Sequence, residues 1–247
     1  MKRILLLAAV ALLSITAASA QTGMWVGVRS IRVEKSSKDS RCLIRAQYPM
    51  SGETVIGNAI REWISESLGG TWTGSLDAVE DMFAYYAEGE IKEAIKDKFT
   101  LHATYYFSRF HETSHIITYA ETGEYTSGEG AHGDAIDLKV TFRKSDGRRF
   151  GWSMFTDEGK ERLKAVLVKK LRVDYGDDTF FKVPDAADPE FKLPEQEPYF
   201  SDEGIVFVYP PYAIAPHAAG FITVTLPLTM VKSMLNATGQ TFLISVS

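Results

Sequence analysis

The spacing of apolar positions along the chain changes several times, and each change marks an element. Residues 24–35 alternate apolar and polar side chains, with Val26, Val28, Ile31 and Val33 apolar, which is the period-two pattern of a half-buried strand. Residues 41–48 read as a second strand, stopped by Pro49. Ser51 is placed as the cap of a helix running to Leu68, because Val55, Ile56, Ala59, Ile60, Trp63 and Ile64 recur at helical spacing. Gly69 and Gly70 end it. Ser75 is expected to cap a second helical stretch, with Leu76, Val79, Met82, Phe83 and Tyr86 on one face, Gly89 as an interruption and a continuation over 91–99.

From Leu101 the period returns to two. Residues 101–111 and 114–125 predict long antiparallel strands rich in aromatic and β-branched residues, with Gly123 as a candidate bulge. A third strand is expected over 134–144. The Ser145-Asp146-Gly147 turn then leads into a return through 148–152. Residues 157–172 form an amphipathic helix, and 174–198, acidic and proline-containing, read as a wrapping loop or flexible excursion. Strands over 205–209 and 221–226, a helical piece over 228–235 and a last strand over 242–246 complete the chain. Strands and helices come in blocks and not in regular β-α-β units. The expected fold class is therefore α+β, an antiparallel sheet with helices on one face, in two closely associated halves. The division expected is a helix-rich module over 21–100 and a second domain over 101–247.

The first twenty residues are different in kind. Lys2 and Arg3, a short apolar run from Ile4 to Leu13, and Ala18-Ser19-Ala20 together make a secretory leader, cleaved between Ala20 and Gln21. The run is too short for a membrane span, and no later stretch is long and apolar enough for one, so the mature chain is expected in the periplasm or outside the cell. Composition adds an exclusion. With 45% hydrophobic and 24% charged residues the chain belongs among folded proteins, and a net charge of -5 without a basic stripe argues against a nucleic-acid partner. Cys42 is the single cysteine, so no internal disulfide forms, and it is expected as a small buried hydrophobe.

Two segments concentrate unusual chemistry. One is Tyr125-Thr126-Ser127-Gly128-Glu129-Gly130-Ala131-His132-Gly133, whose glycines call for positive φ or close backbone approach. The other is Pro210-Pro211-Tyr212-Ala213-Ile214-Ala215-Pro216-His217-Ala218-Ala219-Gly220, in which prolines set a rigid path. His132 and His217, with Glu129, suit either a shared metal or acid–base site or two anchors for loop backbone. No spacing motif for a metal accompanies them, and the sequence favours anchoring. His111 and His115, four apart but not on a helix, are expected as exposed strand residues. There is no Gly-x-Ser-x-Gly elbow and no nucleotide loop.

The two segments resemble the Tyr-x-Gly-Gly-Ala-His-Gly and Pro-Tyr-x-Ile-Ala-Pro-Tyr-Ala-x-Gly signatures of a bacterial extracytoplasmic domain of unassigned function. That domain is shared by the sensor regions of RsiV-type anti-sigma factors and by the non-catalytic part of PdaC-type peptidoglycan deacetylases. The likeness runs from about Tyr105 to Leu235, with Trp152-Ser153-Met154-Phe155 between the motifs. Residues 33–98 resemble the companion module more weakly, through Tyr48-Pro49. Here Glu129 is inserted in the glycine run and His217 stands where the family has Tyr. The RsiV-type relatives have a cytoplasmic segment and a membrane span and bind host lysozyme outside the cell, and neither segment is read in this sequence. The resemblance therefore implies a free, non-enzymatic envelope binding domain for a lysozyme-like protein or a peptidoglycan fragment. Its binding residues would be Tyr125, Gly128, Gly130, His132, Gly133, Tyr212, Ile214, Pro216, His217 and Gly220. No cofactor, metal or catalytic residue is called for. The alternative is a metal-dependent hydrolase or deacetylase-related enzyme acting on peptidoglycan through His132 and His217. The acidic loop (Asp185, Asp188, Glu190, Glu195, Glu197) would suit a cationic partner.

Overall fold

A computed structural model describes residues 26–50, 54–128 and 133–244. The leader read over 1–20 and its cleavage point, as well as Ser51, Glu129, Gly130 and His132, lie outside the described residues. β1 (Val28–Ser37) and β2 (Ser40–Pro49) form a hairpin, followed by helices α1 (Val55–Ser67) and α2 (Val79–Asp97). Three strands then follow, β3 (Leu101–Glu112), β4 (Ile116–Ser127) and β5 (Asp134–Arg143). The order in the sheet is β1-β2-β3-β4-β5, antiparallel except for the β2–β3 pair, which is parallel from Arg41 opposite His102 to Ala46 opposite Phe107. A parallel pair needs a crossover, and α1 with α2 supplies it. A cut at residue 100 therefore separates two hydrogen-bonded neighbours of one sheet.

The rest of the chain builds a second unit. α3 (Asp157–Tyr175) precedes the irregular segment, which leads into β6 (Tyr199–Ser201), β7 (Gly204–Tyr209) and β8 (Ile222–Leu226), an antiparallel sheet in that order. α4 (Leu228–Val231) and α5 (Ala237–Ile244) close the fold. The class is α+β, as the patterning predicted, with helices packed against two sheets.

Local chemistry explains the elements. Thr54 and Thr156 cap α1 and α3, each hydroxyl accepting from a backbone N–H three residues on, at 3.2 and 2.9 Å. Thr54, and not Ser51, starts the first helix. Ser75 makes a turn and not a cap, since its hydroxyl accepts from Asp77 N while α2 begins at Val79. Gly89 does not interrupt α2, because Met82, Phe83, Tyr86, Ala87, Ile91 and Ala94 bury one continuous stripe against the sheet, which outweighs the weak helix propensity of one glycine. The α1 stripe brings Trp63 edge-on to Phe107 at 5.8 Å and Phe142 at 6.2 Å. Arg61, buried on the same helix, donates twice to Pro49 O and once to Asp77, tying α1 to the end of β2. The register shift falls between Arg109 and His111 and not at Gly123, where an added Cβ would sit 1.9 Å from Thr104 O.

Two expectations at the C-terminal end change. The return over 148–152 makes one isolated bridge, Phe142 with Arg149, instead of a strand. The final element is a helix, not a strand over 242–246. Asn236 Oδ1 accepts from Gly239 N at 2.9 Å as an N-cap, and Phe242 fills the second core beside Phe150 and Phe200. Burial of Phe242 and Leu243 alone does not distinguish helix from strand; the cap does.

The sheet faces divide the labour. α1 and α2 cover the face carrying Ile44, Phe107, Tyr119 and Phe142. On the other face β6 lies over the end bearing Thr118 and Thr141. Thr118 Oγ1 donates to Phe200 O at 2.9 Å, Phe200 N donates to Thr141 Oγ1 at 2.8 Å, and the two hydroxyls are 2.7 Å apart. One proton arrangement satisfies all three, with Thr141 donating to Thr118.

Candidate functional site

The irregular segment is a wrapping loop anchored at both ends. Phe180 and Phe191 are buried in the second core, and Pro184, Pro194 and Pro198 are buried along the way. Asp185 Oδ1 accepts from Ala187 N at 2.9 Å and Asp188 Oδ1 from Glu190 N at 3.0 Å, so two aspartates shape consecutive turns by bonding backbone two residues on. The Lys182 ammonium lies 2.6 Å from Asp188 and 3.4 Å from Glu190. That ammonium holds the Asp188 carboxyl below its usual range, and Asp188 in turn raises the lysine.

This loop faces the proline–histidine segment that joins β7 to β8. Ala213 N donates to Pro210 O at 3.1 Å, closing a turn with Pro211 second and Tyr212 third, and Tyr212 has φ +69°. Positive φ at the third position is the mark of a type II turn, where glycine or asparagine is usual. Tyr212 instead carries an exposed ring, 5.3 Å between centroids from His217. Ile214 O accepts from Phe181 N at 3.1 Å, which fastens the loop to the turn. Pro216 leads into a single 3-10 turn over His217–Ala219, ended by Gly220 at φ +65°. Between loop and turn lies a groove of about 610 Å³, walled by Phe181, Pro184, Phe191, Pro211, Tyr212 and Ile214, with Asp185 and Glu195 on its rim. Tyr209 stands at its base, its hydroxyl donating to Lys192 O at 3.3 Å and raised by burial.

The glycine segment sits elsewhere, at the β4–β5 connection. Gly128, φ +73°, donates to Thr100 O at 2.8 Å, and an added Cβ at Gly133 would meet Thr126 Oγ1 at 2.5 Å. Gly128 thus serves the left-handed backbone, and Gly133 the close approach of Thr126. Tyr125 packs at the margin of the first core, on the face that meets α2, and desolvation, with nearby Glu90 second, raises its hydroxyl. Among the described residues no member of this segment lines the groove, whereas Tyr212 and Ile214 do. The structure thus brings Tyr212, Ile214, Pro216, His217 and Gly220 together and places Tyr125, Gly128 and Gly133 on a different unit.

Among the described residues no three His, Cys, Asp or Glu side chains cluster in a way that would hold a metal ion. His111 is not an exposed strand residue as expected: its side chain is mostly covered and its Nδ1 lies 2.8 Å from Asp202 Oδ1 in the β6–β7 turn. His115 lies in the β3–β4 turn, its backbone N–H bonded to Thr113 Oγ1. Cys42 is fully buried, and burial pushes its thiol up to about 12, which makes it unreactive. Two groups escaped the sequence reading. Glu121 is a buried carboxylate accepting from Ser67 Oγ at 2.5 Å, held above the usual carboxylate range by desolvation. It sits among β4 positions whose alternation gave no sign that a charged one faces the helices. The other is β6, three residues long and so without a readable period.

The groove lies inside the segment that matches a known family. Residues 153–229 match the model of a protein family of unknown function, DUF3298. This segment is similar to the DUF3298 family. Two solved structures extend the likeness over most of the chain. A DUF3298 family member from Bacteroides fragilis is 20% identical with a TM-score of 0.66, covering 88% of this chain and 96% of that one. A DUF3298 family protein from Pseudomonas aeruginosa is 11% identical with a TM-score of 0.56, covering 87% and 97%. At these identities the likeness is one of fold. No curated protein matches the chain. The DUF3298 segment takes in α3, the wrapping loop, β6 to β8 and the Tyr212 turn, and it excludes the glycine segment at 125–133. Among the described residues no helix is long and apolar enough to cross a membrane.

Proposed function

We infer that the chain is a non-enzymatic binding module of the bacterial cell envelope, delivered there by a cleaved leader, and that its DUF3298 groove holds a cationic protein segment of the lysozyme-like kind. The resemblance of the sequence to RsiV-type sensor regions and PdaC-type proteins supports this reading and also brings in a peptidoglycan fragment as the other ligand class. The observation that carries it is the groove itself. It has aromatic and proline walls that are already in place, so little ordering cost falls on binding. Its charged lining is net negative, with Asp185, Asp188, Glu190 and Glu195 against Lys182 and Lys192, and this provides steering for a positive partner.

The test is capture of lysozyme by the immobilised chain at low and high salt. Capture at low salt is expected, weakening as salt rises because exposed charges are screened. Tyr212→Ala is expected to weaken it by about tenfold or more, as removal of an exposed aromatic anchor does. Absence of capture at both salt concentrations removes this ligand.

A further inference from the structure

We propose that the uncovered half of the five-stranded sheet is a second binding site, separate from the groove above, and that it takes a carboxylate-bearing saccharide. β6 covers only the Thr118–Thr141 end of this face. The remaining half forms a shallow depression of about 700 Å³ across β1 to β4, with Arg32, Arg45, Gln47, Thr104, Tyr106 and Glu124 on its floor.

The charge arrangement there is unfavourable for the empty sheet. Arg32 on β1 stands directly opposite Arg45 on β2. Like charges paired across neighbouring strands repel at a Cβ separation of about 5 Å. Glu34 relieves Arg32 and also holds Arg41, at 2.7 Å. The Arg45 side chain has neither an ion pair nor a hydrogen bond with any described residue. Its next neighbour in register is Tyr106 on β3, then Thr122 on β4. An anionic group above Arg45 would offset the repulsion, and a guanidinium suits a carboxylate because its N–H groups match two oxygens.

The rest of the floor specifies a sugar. Tyr106 is partly exposed in the row of Arg45, and its ring would offer a flat surface for the C–H face of a pyranose. One row along, Thr104 is paired with Glu124, which adds a hydroxyl and a carboxylate that accept from sugar hydroxyls. Strands about 4.8 Å apart set these groups at the scale of one ring. A peptide would be served better by a strand edge or an apolar pocket, and Arg45, Tyr106 and Thr104 lie on the inner strands β2 and β3, with one aromatic ring among them.

The test is calorimetric titration of the full chain with three probes: tetragalacturonate, neutral chitotetraose and tetraglutamate. Tetragalacturonate is expected to bind, with chitotetraose and tetraglutamate about tenfold weaker or worse. Arg45→Gln and Tyr106→Ala should each weaken tetragalacturonate about tenfold, the loss typical of one charged hydrogen bond or one stacked ring. Arg45→Gln should melt no lower than the wild type, because it removes a repulsive pair from an exposed position. Tyr212→Ala, in the other groove, should leave saccharide affinity unchanged, so loss of lysozyme capture and loss of saccharide binding are separable. The proposal is overturned by no binding of tetragalacturonate, by equal affinity for tetraglutamate or for chitotetraose, or by wild-type affinity in Arg45→Gln.

Discussion

Glu121 shows how one residue ties packing to pH. Its carboxyl is raised in the folded protein, chiefly by burial, with the Ser67 hydroxyl acting in the opposite sense. A folded-state value above the unfolded one means that the native state binds the proton more tightly. The associated stability is complete below the unfolded value of about 4.5 and is lost as pH rises through the raised folded value. Glu121→Gln keeps an acceptor for Ser67 without the buried charge. It is expected to raise the melting temperature by a few degrees at pH 7 and by progressively less toward pH 4, as measured by thermal unfolding across that range. Tyr212 stores a different tension. A non-glycine residue in left-handed backbone costs roughly 1–2 kcal/mol, and glycine in the unfolded chain takes back about 0.5–1 kcal/mol of any relief. Tyr212→Gly should therefore change stability by less than about 1 kcal/mol in urea unfolding while weakening partner capture. At this scale the sequence was informative where the backbone made the demand, as with Pro211 and Gly220. It was silent on Glu121 and Arg45, because which face a charge occupies depends on register.

Among the elements, α2 and α3 give the clearest tests. Gly89 lies exposed in mid-helix, and an added Cβ there meets nothing within 4 Å. Gly89→Ala should stabilise the protein by about 0.5–1 kcal/mol, read from the urea midpoint. Thr156→Ala should cost about 1 kcal/mol through loss of the α3 cap. Both helices were legible because their apolar stripes are long. The strands from β1 to β5 were legible for the same reason, at period two. Two of the shorter elements were not. β6 has three residues and its backbone is satisfied by threonine side chains of another sheet, and α5 is set by an asparagine cap that the apolar pair Phe242 and Leu243 does not reveal.

Across the whole molecule, the two units are joined by hydrogen bonds more than by a shared core. Beside the Thr118–Thr141–Phe200 cluster, Gln196 donates to Asp137 O at 3.0 Å, Arg149 pairs with Glu66 at 2.6 Å, and Arg143 reaches Thr241. Thr141→Val leaves the buried Phe200 N–H without its acceptor. It should cost about 1–3 kcal/mol, and the urea transition, single in the wild type, should broaden as β6 separates from the larger sheet. By itself the sequence determined the α+β class, most of the helices and strands, and the two unusual turns. Local periodicity, caps and backbone permissiveness are written residue by residue. Only the tertiary structure decided that β2 and β3 run parallel and that the wrapping loop meets the Tyr212 turn to form a groove. The same holds for the opposed arginines left uncovered on half of a sheet face. Each of these depends on which distant segments become neighbours, and that is settled by the burial of whole faces and not by any single stretch of chain.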